Sequence, residues 1–208
     1  MTTRRYLVSA LSLVTLIVTA TAAAQRSGST IPTDRIFESL HLQEGQTVCE
    51  MGAGDGELTI AAATVVGPDG RVYSSELGQE RLKSLRTRVA ASGLAHITVV
   101  EGAPAGTNFP DDACDAVFMR NVYHHFTDPA AINASIRAAL KPGGRLAVVD
   151  FSPPGKEAAT PAGRSGDGTH GVTSETLSRE LSEAGFEPVT SEAGSQRWFL
   201  IVVAKPTR

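Results

Sequence analysis

Thr47-Val48-Cys49-Glu50-Met51-Gly52-Ala53-Gly54-Asp55-Gly56 is the stretch on which the reading of the chain turns. A short apolar run ends in an acid, and three glycines at alternate positions then lead into a helical pattern. The run reads as a buried strand and the glycines as the tight turn that follows it. Glycine suits that turn because a side chain would hold a ligand away from the backbone, and because such turns often require positive φ. In an open α/β sheet, nucleotide-like ligands settle at the carboxyl ends of the strands, so this bend is the place to look for function.

Working outward, strand and helix patterns alternate. Thr33-Asp34 caps a short helix carrying Ile36, Phe37 and Leu40, ahead of the strand at Thr47. Leu58 to Val66 reads as a helix stopped by Gly67-Pro68-Asp69-Gly70, and Arg71 to Ser75 as a second strand closed by Glu76. Leu82, Leu85 and Val89 recur at helical spacing, and His96 to Glu101 makes a third strand. Asp115 to Met119 is the fourth. Asp128-Pro129 opens a helix that runs to Leu140 and stops at Lys141-Pro142-Gly143-Gly144, and Arg145 to Phe151 is the fifth strand. Ser152 to His170 is rich in Gly, Pro, Ser and charge, too polar to pack, and of a length usual for a functional lid or a disordered segment. A last helix from Thr173 and two strands, Phe186 to Thr190 and Trp198 to Ala204, complete the chain. Alternation predicts a doubly wound, mostly parallel α/β sheet; the two final strands, with no helix between them, predict an antiparallel hairpin at its edge.

The 208 residues suit one such domain. A net charge of −3 gives no footprint for nucleic acid. Arg4-Arg5, the apolar run Leu7 to Val18 and the small residues Ala22 and Ala24 have the form of a secretory signal peptide over 1–24, with an uncleaved anchor as the alternative. Either form places the domain outside the cytoplasm. Residues 25–32 read as a linker and 33–208 as the domain. Cleavage of the signal would leave no stable membrane span, and the sequence says nothing of oligomeric state. Of the two cysteines, Cys49 falls in the first strand and Cys114 just before the fourth. Both read as small buried hydrophobes; a disulfide is permitted by the compartment, but the spacing does not call for one. Neither has a CxxC partner, so no metal site is expected.

The glycine turn alone fits several cofactors. A dinucleotide fingerprint needs its third glycine where this chain has Glu57, which argues against a pyrophosphate ligand. Glu76 is placed to accept both hydroxyls of a ribose. Together they fit a nucleoside without a pyrophosphate.

In these residues the chain resembles the class I S-adenosylmethionine-dependent methyltransferases. The likeness rests on Val48 to Gly56, on Glu76, on Asp115-Ala116-Val117-Phe118 and on Leu140-Lys141-Pro142-Gly143-Gly144-Arg145-Leu146, and covers about Ile31 to Lys205. The resemblance implies a Rossmann-like seven-stranded sheet of order 3-2-1-4-5-7-6 and S-adenosyl-L-methionine as cofactor. It implies that Glu50, Gly52 and Gly54 bracket the methionine moiety, that Glu76 holds the ribose, and that Ala53, Leu77, Gly102 and Ala103 also bind the cofactor, with the Ala103 backbone or a nearby side chain as the adenine contact. The chain departs from the family after Glu101: Gly102-Ala103-Pro104-Ala105-Gly106 carries no acid where many members place an aspartate on the adenine amino group.

Arg120-Asn121-Val122-Tyr123-His124-His125-Phe126 follows the fourth strand, where the resemblance implies that acceptor and cofactor meet. Methyl transfer is an in-line displacement, so the protein chiefly aligns the acceptor and removes its proton. His124 and His125 are the candidates for the proton, each with a structural role as its alternative, and Tyr123 for a wall of the pocket. Arg120 is a candidate for cofactor contact, for orienting an anionic acceptor, or for a salt bridge to a neighbouring acid. Asp150 ends the fifth strand facing the same crevice. His170 reads either as part of a lid or, by a small margin, as a plain residue at a helix start; His41 and His96 read as structural. The expectation is metal-independent methyl transfer to a small-molecule acceptor, with an exported nucleoside-binding protein that has lost catalysis as the alternative.

Overall fold

The computed structural model describes residues 31–207. The expected signal segment and nearly all of the linker lie outside the described residues. Seven strands form one sheet: β1 (Thr47–Met51), β2 (Arg71–Glu76), β3 (Ile97–Glu101), β4 (Cys114–Arg120), β5 (Leu140–Phe151), β6 (Glu187–Ala193) and β7 (Trp198–Ala204). Their order is β3-β2-β1-β4-β5-β7-β6. The pairs from β3 to β5 are parallel, and β7 runs antiparallel to both β5 and β6. The helices are α1 (Thr33–Leu40), α2 (Glu57–Val66), α3 (Gln79–Ser92), α4 (Pro129–Ala139) and α5 (Ser174–Glu183). Among the described residues, no helix is long and apolar enough to cross a membrane.

Alternation along the central strands sends side chains to two cores. Val48 and Phe118 pack with Ile36 and Phe37 of α1 and Ala62 of α2. Cys49, Met51, Val117 and Met119 pack with Ile132 and Ile136 of α4 and Leu177 and Leu181 of α5. Local chemistry sets the helix starts. Asp128 accepts the Ala131 N–H at 3.0 Å with Pro129 in the first turn, and Thr173 accepts the Thr176 N–H at 3.2 Å. At the base of the sheet, Asp115 accepts from the Thr47 N–H and from Lys141 Nζ, each at 2.8 Å, tying β1, β4 and β5 together.

Three features differ from the sequence expectation. β5 begins at Leu140, because Leu140 pairs with Cys114 before the ladder shifts register at Ala116; the Pro-Gly-Gly run lies within the strand. β6 extends to Ala193 and is largely exposed, an edge position that accommodates Pro188. Cys49 and Cys114 form a disulfide between the adjacent strands β1 and β4, with Cα atoms 6.0 Å apart, so neither is a free thiol.

The polar segment after β5 is also anchored. Arg164 is buried and pairs with Glu180 of α5 and, at 3.8 Å, with Glu157. Glu157 in turn accepts from the Thr173 and Thr176 hydroxyls at 2.8 and 2.7 Å. A segment with little apolar surface is held here by charge and hydrogen bonds.

Candidate active site

Gly52, Gly54 and Gly56 all adopt positive φ, of 67°, 57° and 82°. At Gly54 a Cβ would meet no protein atom within 4 Å, because that side of the turn opens into a cavity of about 700 Å³. The volume is in the range of small-molecule and cofactor sites. Glu76 fixes the turn from the neighbouring strand. One carboxylate oxygen accepts the Gly54 N–H at 2.6 Å and the other accepts the Leu77 N–H at 2.8 Å. The Ala53 N–H reaches Ser75 O at 2.9 Å, so β2 braces the bend twice.

Glu50 is buried beneath the turn, where its carboxylate accepts from the hydroxyls of Thr59 in α2 and Ser74 in β2. Burial pushes its carboxyl up to about 7, against the opposing pull of those two hydroxyls.

The sequence-predicted cofactor residues converge on this cavity. Glu50, Gly52, Ala53, Gly54, Glu76, Leu77, Gly102, Ala103 and Arg120 all line it. Arg120 lies 3.7 Å from Glu57, a salt bridge at the cavity wall. The segment 102–106 closes on itself through paired Ala103 and Gly106 backbone bonds and lines the cavity with Gly102, Ala103, Pro104 and Gly106.

The three consecutive candidates after β4 separate. They form a single 3₁₀ turn, Tyr123–His125, so their side chains diverge. His125 lines the cavity. His124 is fully buried beside it, its Nδ1 2.8 Å from Asp150 Oδ1. Tyr123 does not wall the pocket. It is buried in the α4/α5 core, donating to Glu180 Oε2 at 3.0 Å and accepting from Asn133 at 2.8 Å. Burial raises its hydroxyl well above the ordinary tyrosine value, which removes it as a proton acceptor.

His170, read by a small margin as a plain residue at a helix start, is brought against the site: its Nε2 lies 2.9 Å from His124 Nε2. His125 Nδ1 meets Ser165 Oγ at 2.9 Å. Burial, and then the neighbouring His124 and His170, lower the His125 value. Local spacing carries no signal for this cluster, because it takes the whole path of residues 152–170 to bring His170 back to β4.

Comparison with known proteins agrees with the geometry. Residues 49–148 match the family model described as a methyltransferase domain. The chain is 32% identical over 117 residues to the ubiquinone/menaquinone biosynthesis C-methyltransferase UbiE of Marinomonas sp. (strain MWYL1), covering 56% of this chain and 47% of that protein. The corresponding protein of Enterobacter sp. (strain 638) is 32% identical over 114 residues, covering 54% of this chain and 45% of that one. The chain thus spans about half the length of the curated relatives it matches. Among solved structures, an S-adenosylmethionine-dependent methyltransferase from Aquifex aeolicus superposes with a TM-score of 0.72 at 21% identity, covering 85% of this chain and 90% of that one. The [4+2]-cyclase SpnF superposes with a TM-score of 0.71 at 19% identity, covering 85% and 80%. The chain carries a domain of the class I S-adenosylmethionine-dependent methyltransferase family, whose cofactor is S-adenosyl-L-methionine.

Proposed function

We propose that the protein transfers a methyl group from S-adenosylmethionine to a small-molecule acceptor with an ionisable oxygen, nitrogen or carbon. The observation that carries this reading is the single cavity that runs from Glu76 and the glycine turn to His125. The residues present fit the cofactor. Each Glu76 oxygen holds one backbone N–H and keeps a lone pair for a ribose hydroxyl, and the missing side chain at Gly54 leaves the crevice open. Glu50 offers negative charge at the end of the cavity where the cationic methionine group would lie. When bound, the cofactor supplies an electrophilic methyl on a sulfonium. The acceptor's electron pair forms the new bond to carbon as the methyl–sulfur bond breaks, with its pair left on sulfur. The acceptor's proton leaves toward His125, which lines the same cavity, and from there to solvent. A structural neighbour supports a small acceptor: at a TM-score of 0.69 and 17% identity, it is a phosphoethanolamine N-methyltransferase from Haemonchus contortus in complex with phosphomonomethylethanolamine.

The same reading places the domain outside the cytoplasm. The basic, apolar and small-residue order of 1–24 supports export. The Cys49–Cys114 disulfide supports an oxidising compartment.

A second reading, a nucleoside-binding protein without methyl transfer, draws on two observations. SpnF shares the fold under the name of a cyclase, and segment 102–106 lacks an acid. Incubation with methyl-labelled S-adenosylmethionine and small-molecule extracts separates the two. Methyl transfer predicts a labelled product that is lost in His125→Ala while S-adenosylhomocysteine still binds. Binding of S-adenosylhomocysteine with no labelled product from any extract would favour the binding protein.

A further inference from the structure

One ring nitrogen from each of His124, His125 and His170 lies within 4.8 Å of the corresponding nitrogens of the other two. The central ring is fixed in orientation. Asp150 is fully buried and accepts from the backbone N–H of His124 at 3.1 Å and of Phe151 at 2.8 Å, and it meets His124 Nδ1 at 2.8 Å. A carboxylate so placed requires the His124 proton on Nδ1, leaving Nε2 with its lone pair toward His170. A carboxylate behind an imidazole is the outer-layer arrangement that orients metal-ligating histidines. Ser165 at His125 Nδ1 is a second outer partner.

We propose that His124, His125 and His170 hold one divalent transition-metal ion, zinc or a similarly borderline ion, at the acceptor end of the cavity. Three imidazoles with no thiolate suit such an ion and leave a fourth position for water or a ligand. The cluster must rearrange to hold an ion, because nitrogens as far as 4.8 Å apart have to close by up to about 1.5 Å. Zinc–nitrogen bonds of about 2.0–2.1 Å at tetrahedral angles set nitrogens about 3.3 Å apart, so the His124–His170 pair at 2.9 Å opens by about 0.4 Å. His170 is exposed and can yield that distance. To ligate through Nε2, His170 carries its N–H on Nδ1. Because His125 also lines the cavity, an ionised acceptor would take the fourth position beside the methyl donor. That role alone rests on the methyltransferase reading; binding of the ion does not.

The test is titration of the untagged protein, stripped by chelator and dialysed, with Zn²⁺ by calorimetry and with Co²⁺ by visible absorption. One equivalent should bind, with the absorption of a four-coordinate cobalt site. Because His124 is buried, the exposed positions carry the mutational arm. His125→Ala and His170→Ala should each weaken binding at least tenfold, while His41→Asn, at a helix end remote from the cluster, leaves it unchanged. Failure to bind one equivalent, or binding unaffected in both alanine variants, overturns the site and leaves Asp150–His124–His170 as a hydrogen-bonded chain only. S-adenosylhomocysteine titrated into the same metal-free sample reports on the methyltransferase reading independently.

Discussion

Glu76 accepts the backbone N–H of Gly54 at 2.6 Å, so the acid that ends β2 is bonded directly to the turn that follows β1. One side chain thereby braces the turn and lines the cavity beside it.

Glu76→Gln should weaken S-adenosylhomocysteine binding by roughly tenfold or more, since an amide cannot accept from both N–H groups and one of its own donors must face a donor. Calorimetry measures the affinity. A variant that binds as the parent does would separate Glu76 from the cofactor.

Glu50 yields a pH prediction of definite sign. Its carboxyl rises from 4.5 to about 7 on folding, so between those values the folded chain holds a proton that the unfolded chain has lost. This contribution to stability therefore falls as pH rises from about 4.5 to about 7, and stays lost above. Glu50→Gln should be more stable than the parent at pH 8 by roughly 2–3 kcal/mol, and no more stable at pH 4.5. Urea unfolding at the two pH values measures the difference. If the carboxylate also faces the cofactor's positive charge, the same variant binds S-adenosylmethionine more weakly at pH 8.

The disulfide closes a loop across a sequence separation of 65 residues. Its reduction, or a Cys49→Ser/Cys114→Ser double variant, should cost about 2–4 kcal/mol. For a domain of this size that lowers Tm by roughly 5–15 °C. Thermal scans with and without reductant test the cost, and thiol titration of the oxidised protein should find no free thiol.

Tyr123→Phe removes one hydrogen-bond partner from each of Asn133 and Glu180 while leaving the cavity wall intact. Stability should fall by about 1–3 kcal/mol, with turnover per folded molecule nearly unchanged. A large loss of turnover in a fully folded variant would return Tyr123 to the chemistry.

The parts legible in the sequence are those encoded locally. The glycine turn, the acid at the end of β2 and the final two strands each carry their signal within a few residues. The convergence of Glu50, Gly52, Gly54 and Glu76 on one cavity is therefore readable. Tyr123 was misplaced because adjacency in sequence does not mean adjacency in direction: one 3₁₀ turn points successive residues to different sides. Pairing of Cys49 with Cys114 depends on β4 lying beside β1 and on both side chains sharing the α4/α5 face. The strand order implied by the resemblance contained half of that information. Burial of Arg164 and the approach of His170 to His124 have no local signature at all. Both depend on where a polar segment returns to the sheet, and Glu180 on a distant helix helps to determine that.

The sulfur crosslink joins the two strands whose ends lead into the glycine turn and into the 121–126 segment, both of which line the crevice. Sliding one strand along the other is therefore resisted by a covalent bond as well as by backbone pairing. The crevice above them therefore keeps its spacing, while the 152–170 segment is fastened by ion pairs and hydrogen bonds alone.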